Sequence, residues 1–156
     1  MRFRVIELAR PERRNALNTA LCDAVSQSVT SLVDEGARSI VITGQGTSFC
    51  SGADLDAVYG DDFLRALSGM LDAIRSAPVP VIAAVNGPAI GAGTQLAIAC
   101  DLRIASDSAV FAVPTAKNGL AVDPWTARSL AALTGSGLAR LLLVAAGSLS
   151  AAEATA

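Results

Sequence analysis

From Leu17 onward, apolar residues recur at Leu21, Ala24, Val25, Val29, Leu32 and Val33, a spacing of three and four that puts them on one face of a helix. Asn15 or Asn18 can cap its start, and Gly36 stops it. The helical period returns over residues 61–76, with Phe63, Leu64, Leu67, Met70, Leu71 and Ile74, until Pro78 and Pro80 end it. Between these helices Ser39–Thr43 is a short apolar run that predicts a buried strand, and Gly44–Ser48 is a loop by its glycine content. Phe3–Leu8 suggests a strand ahead of both helices. A third apolar run, Val79–Val85, feeds a glycine-rich turn that opens an Ala/Leu/Ile helix within Asn86–Asp101. Leu102–Ala105 and Ala109–Ala112 read as strands about a turn at Asp107 and Ser108. Trp125–Leu133 and Leu138–Ala146 read as two helices joined across Gly135–Gly137. Strands alternating with helices predict an α/β fold.

At 156 residues and 52% hydrophobic content, the chain is long enough for one packed domain, and residues 1–156 are read as a single core. Ser150–Glu153 forms a capping box with only Ala154, Thr155 and Ala156 after it, so a helix is announced and then cut short. The net charge of −2 comes from 12 basic and 14 acidic residues that are interleaved, which predicts no nucleic-acid partner. No apolar run reaches the ~20 residues that span a bilayer, and the first residues lack the apolar stretch of a signal peptide. A cytoplasmic protein is expected. Eleven arginines against one lysine, Lys117, with abundant alanine, suggest a bacterial coding sequence.

Candidate chemistry is limited by what is missing. The chain has no histidine, and Cys22, Cys50 and Cys100 are few and far apart, so neither zinc spacings nor histidine-based nucleophile systems are available. The cysteines read as small buried hydrophobes, and no metal or further cofactor is expected. The glycine-rich turn is more informative. A helix opening at such a turn aims free backbone N–H groups at an anion or a developing oxyanion. The first long polar side chain on that helix is Gln95, an amide that hydrogen-bonds but does not shuttle protons near neutral pH.

Four blocks, Arg10–Asn18, Gly46–Leu55, Asn86–Asp101 and Phe111–Gly119, resemble in order and spacing those of the crotonase family, the enoyl-CoA hydratases and isomerases. The likeness runs through nearly the whole chain. It implies a crotonase-like ββα spiral core, an acyl-CoA thioester as ligand or substrate, and a homotrimer or hexamer. Family members commonly have a strand before Phe3–Leu8 and continue with several helices after the capping box, so the chain resembles the amino-terminal portion of a crotonase.

The resemblance also assigns roles. In the family two backbone N–H groups hold the thioester carbonyl, and by motif position they fall on Ala53 and Ala92. Each such donor is worth ~2.7–4 kcal/mol in the transition state. Ala92 stands where the family usually has glycine, which is tolerable where no positive φ is needed. Gly52, Gly91 and Gly93 either shape this site or simply allow close packing. Asp54, Leu55 and Asp56 match the segment along the CoA pantetheine, while a solvated turn with Asp54 capping a helix is the plainer reading. Arg10, Arg13 and Arg14 face the CoA phosphates or form an exposed charged turn.

The two glutamates of the family hydratases fall on Gln95 and Thr115, neither of which can do their proton transfer. Hydratase chemistry is therefore expected to be lost, leaving an acyl-CoA-binding protein of lipid metabolism with polar residues lining its acyl pocket. The alternative is an active hydratase or isomerase using Asp123, at a loop position where some relatives place a catalytic aspartate. Burial beside Leu120, Val122 and Trp125 would raise its pKa. Just ahead of Pro124, however, Asp123 also fits an ordinary helix N-cap. A purely structural subunit of an acyl-CoA complex is a third possibility.

Overall fold

The computed structural model describes residues 3–54, 56 and 60–154. Strand β1 (Phe3–Leu8) leads through a 3-10 turn (Pro11–Arg13) into helix α1 (Thr19–Asp34), then strand β2 (Ser39–Gly44), helix α2 (Asp61–Arg75) and strand β3 (Val81–Val85). A two-residue strand β4 (Ala89–Ile90) precedes helix α3 (Ala92–Ala99), followed by β5 (Leu102–Ala105), β6 (Val110–Ala112) and a second 3-10 turn (Pro114–Asn118). Helix α4 (Pro124–Leu143), β7 (Ser148–Ser150) and the single turn α5 (Ala151–Ala154) complete the order.

Strands β1, β2, β3 and β5 form a parallel sheet in that spatial order, registered as Val5 to Val41, Val41 to Ile82 and Ile82 to Leu102. Parallel neighbours need crossovers, and α1, α2 and α3 supply them. The alternation of each strand sends Ile6, Leu8, Ile40, Ile42, Val81, Ala83 and Val85 into the core beneath the helices. The opposite face carries Phe3, Val5, Leu102 and Ile104, all exposed. A second sheet, ordered β4, β6, β7, pairs β4 parallel to β6 and β6 antiparallel to β7.

The long helices form where the apolar period placed them. Asn18, not Asn15, caps α1, its side-chain oxygen accepting from Leu21 N–H at 2.9 Å. The helix buries Cys22, Val25 and Val29 and closes at Gly36, whose φ of 80° suits glycine. In α2 the acidic pair Asp61 and Asp62 sits at the positive end of the helix dipole, and Phe63, Met70, Leu71 and Ile74 turn inward against α1. All eight residues of α3 are buried, which explains why it is built mainly from Ala, Gly, Leu and Ile, with Thr94 and Gln95 its two polar residues.

Helix α4 breaks at Gly135 (φ 76°, ψ 162°), the junction expected between two helices. Its second half ends at Leu143 rather than Ala146, because Ala146 adopts a positive φ of 50° and Gly147 N–H folds back onto Leu141 O at 2.9 Å. The capping box forms: Glu153 accepts from Ser150 N–H at 2.8 Å, and Glu153 N–H donates to Ser150 Oγ at 3.3 Å. Hydrogen bonds from Ser150 hold the Glu153 carboxyl below its ordinary range. Among the described residues no helix is long and apolar enough to cross a membrane.

Candidate functional site

The segment Cys50–Asp54 threads between two other pieces of backbone. On one side Leu17 pairs with Ala53: Leu17 N–H donates to Gly52 O and Asp54 N–H donates to Leu17 O, both at 2.7 Å. On the other, Cys50 N–H donates to Pro88 O at 3.1 Å and Ile90 N–H donates to Cys50 O at 2.9 Å. In a parallel pairing the residue bracketed by the two bonds turns its own N–H away from the partner. Ala53 N–H is therefore left over, and no described carbonyl accepts from it.

Helix α3 starts against the same segment. Gly91 takes a φ of 56° and a ψ of −117°, so the strained backbone falls on glycine and Ala92 is left with ordinary helical torsions. This is why alanine is acceptable at 92. Ala92 N–H, at the first helical position, also donates to no described carbonyl. A Cβ on Gly93 would lie 2.2 Å from Cys50 O, and one on Gly52 (φ 100°) would lie 2.8 Å from Ile90 O and 3.7 Å from Ala92 N. The glycines thus serve the close approach of two backbones, and that approach brings the unused N–H groups of Ala53 and Ala92 into one neighbourhood.

Two asparagines hold the loops around this point. Asn15 is fully buried with φ 56°; it accepts from Arg10 N–H at 3.0 Å and donates to Gln45 O and Ser48 O, each at 2.9 Å. Asn86 accepts from Gly44 N–H at 3.2 Å and donates to Gly44 O at 2.8 Å and Gly46 O at 3.0 Å. Neither role is apparent from the sequence, where Asn15 reads as a possible helix cap and Asn86 only as the start of a family-like block. Their one signal is that each lies in a family-like block without needing to be a cap.

Gln95 lies one turn into α3 and is 7% exposed. Ala112 O accepts from Gly91 N–H at 2.7 Å and from the Thr94 hydroxyl at 2.9 Å, fastening the end of β6 to the first turn of α3. Thr115 follows three residues later in the Pro114–Asn118 turn, half-buried. A cavity of about 420 Å³ runs past Ala53, lined by Glu12, Arg13, Arg14, Ser51, Asp54 and Asp56 among others. Arg10 is taken up within the loop, donating to Ala16 O at 2.6 Å and pairing with Asp54 at 3.0 Å, whereas Arg13 and Arg14 remain exposed along the cavity. The hydrogen bond from Arg10 holds the Asp54 carboxyl below its ordinary range. Asp54 thus pairs with Arg10 and also accepts from Asp56 N–H at 3.4 Å. Leu55 lies outside the described residues.

Asp123 is exposed and caps α4, accepting from Trp125 N–H at 2.9 Å and Thr126 N–H at 3.1 Å, with the Thr126 hydroxyl on its other oxygen. Burial pulls its pKa up, but the Thr126 and Trp125 hydrogen bonds together outweigh it, and the net shift is downward. The burial that would raise its pKa overall is not met, because Asp123 and Leu120 are exposed, and the N-cap reading is the one that forms, with the helix N-terminus supplying the donors. The cap is braced from outside by Arg75, whose guanidinium lies 4.1 Å over the Trp125 ring. Burial pushes the thiols of Cys22, Cys50 and Cys100 up to about 12, which leaves them protonated and packed rather than nucleophilic. Among the described residues no grouping of acidic and cysteine side chains could hold a metal ion.

The layered parallel sheet, its helical crossovers and the small second sheet define a crotonase-like α/β fold. The enoyl-CoA hydratase/isomerase family model matches residues 3–156, and the chain belongs to that family. It is 50% identical over 147 residues to the Mycobacterium tuberculosis protein named "Probable enoyl-CoA hydratase echA6", covering 94% of this chain and 60% of that protein. A Rhodobacter capsulatus protein named "Probable enoyl-CoA hydratase" is 40% identical over 149 residues, covering 86% of this chain and 56% of its own length. The crystal structure of an enoyl-CoA hydratase from Polaromonas superposes with a TM-score of 0.87 at 35% identity, over 95% of this chain and 62% of that one. The chain thus spans about 60% of the length of the relatives it matches.

Proposed function

We propose that this chain is a single acyl-CoA-binding core in which Ala53 and Ala92 N–H groups hold the thioester oxygen and hydration of enoyl esters is impaired. The observation that carries the reading is the convergence of two unused backbone donors beside Gln95, an amide where family resemblance calls for a carboxylic acid. Main-chain donors in a site shielded from water stabilise a carbonyl oxygen that gains charge. With Gln95 and Thr115 in the places of the two glutamates, no group there both accepts a proton from water and returns one to carbon. Gly91 and Gly93 shape the oxygen site, Asp54, Leu55 and Asp56 follow the pantetheine, and Arg13 and Arg14 are left to meet the phosphates. No cofactor beyond the CoA thioester is required.

Asp123 is the remaining carboxylate with a claim to proton transfer. Its capping bonds and lowered pKa favour the structural role over the catalytic one. The reading extends to a bacterial, cytoplasmic protein of lipid metabolism that assembles as a homotrimer or hexamer, which light scattering of the full-length protein would test. The decisive experiment pairs calorimetric titration with acyl-CoA esters and a crotonyl-CoA hydration assay. Binding without hydration is expected, with hydration gained by the double variant Gln95→Glu, Thr115→Glu, since each restored group is worth ~10²–10⁴-fold. Rapid crotonyl-CoA turnover by the unaltered protein would defeat the proposal.

A further inference from the structure

Gln95 is more than nine-tenths buried, yet its amide bonds to no other described residue; of the other buried polar residues, Asn15, Thr94 and Thr126 spend their side-chain polar atoms on neighbours and only the small Ser48 hydroxyl does not. Among the described residues no fully sealed side-chain nitrogen or oxygen lacks a partner, so the unpaired amide must open onto accessible space. An amide in that position is open to a ligand group that can take the place of water as its partner. The helix fixes where that space lies. Gln95 is three residues after Ala92, so the two share a face with Cβ atoms about 5–6 Å apart. Side chains in a helix lean toward its N-terminus, which directs the amide back toward the free Ala92 N–H.

A thioester whose oxygen rests on Ala53 and Ala92 would place its C2 and C3 atoms beside this amide. A carboxylate at neutral pH only accepts hydrogen bonds, whereas a glutamine amide also donates two. A hydroxyl at C3 could pair with either side chain, but a ketone accepts only, and so distinguishes the amide from the acid. We propose that Gln95 is a specificity-determining residue that selects 3-oxoacyl thioesters, its Nε2 donating to the C3 carbonyl; the inference rests on the acyl-thioester reading above. The two carbonyls of one ligand then meet separate neutral donors: main chain at C1 and amide at C3.

The test is titration calorimetry of the full-length protein with hexanoyl-CoA and 3-oxohexanoyl-CoA. One added hydrogen bond of ordinary strength predicts about tenfold tighter binding of the 3-oxo ester. In Gln95→Leu and Gln95→Glu that ratio should collapse toward one, with circular dichroism confirming that each variant is folded. The comparison of two ligands on the unaltered protein does not depend on any variant folding. Equal affinities there overturn the inference while leaving acyl-thioester binding intact. A preference that persists in Gln95→Leu overturns the assignment to this residue, and failure to bind either ester overturns the underlying reading.

Discussion

Replacing Gly93 with alanine sets two physical effects of opposite sign against each other. Helix propensity alone predicts stabilisation of roughly 1 kcal/mol, because alanine loses less backbone entropy than glycine in a helix. Packing predicts the reverse: the new Cβ would meet Cys50 O at 2.2 Å and Cys50 C at 2.9 Å, both backbone atoms with no rotamer to retreat into. Restoring ordinary contact requires the first turn of α3 to move by about 1 Å, and overpacking of this kind costs ~1–3 kcal/mol. Net destabilisation is expected. For a chain of this size that lowers the thermal midpoint by roughly 2–4 °C per kcal/mol. The same displacement separates Ala92 N–H from Ala53 N–H, so affinity for hexanoyl-CoA should fall along with stability. Gly69 is the internal control, an exposed position within α2 where an added Cβ meets nothing within 4 Å. Gly69→Ala should stabilise by ~0.5–1 kcal/mol and leave binding alone. Differential scanning calorimetry and titration of both variants decide the matter: a Gly93→Ala protein as stable as Gly69→Ala would refute the account of the α3 contact.

Asn15→Ala removes three hydrogen bonds at a fully buried position and strands Gln45 O and Ser48 O. At roughly 1–3 kcal/mol per buried group left unpaired, the urea midpoint should fall well below that of the parent protein; an unchanged midpoint would rule out the clasp. Asp123→Ala should cost ~1 kcal/mol by losing the α4 cap, and Asp123→Asn should cost much less, since an amide oxygen still accepts. The sign of the pH dependence follows from the lowered Asp123 pKa. The charged cap contributes fully above the unfolded carboxylate value of ~3.9, and the difference between parent and Asp123→Ala shrinks as pH falls through the lower folded value. Acid titration of both proteins by circular dichroism checks this, and a gap that widened on acidification would contradict it.

Helices α1 and α2 and strands β2, β3 and β5 were legible because each repeats its pattern over enough residues to be read without tertiary help. Strands β4 and β7 were not. Two or three residues carry no period, and Ala89–Ile90 and Ser148–Ser150 become strands only because β6 lies between them. The candidate site divides in the same way. Family-like blocks located Ala53, Ala92 and Gln95, but the placing of positive φ on Gly91 and of the tight contact on Gly93 depends on where Cys50 passes, which no local pattern records. Of the two readings open at Asp123, a carboxyl raised by burial or an ordinary helix N-cap, it is the cap that forms. The preceding loop leaves Leu120 and Asp123 exposed, and the helix end decides the shift.

The two unused donors beside Gln95 are peptide groups, placed by Gly52, Gly91 and Gly93 rather than by any functional side chain. That separates two kinds of mutational risk. Side-chain replacements at positions such as Gln95 or Thr115 alter what a bound molecule meets while sparing the backbone that would anchor it, so such a scaffold can drift between chemistries without losing its grip. Loss of the grip itself has a narrower route, through the few glycines whose hydrogen is the largest substituent the neighbouring strand admits.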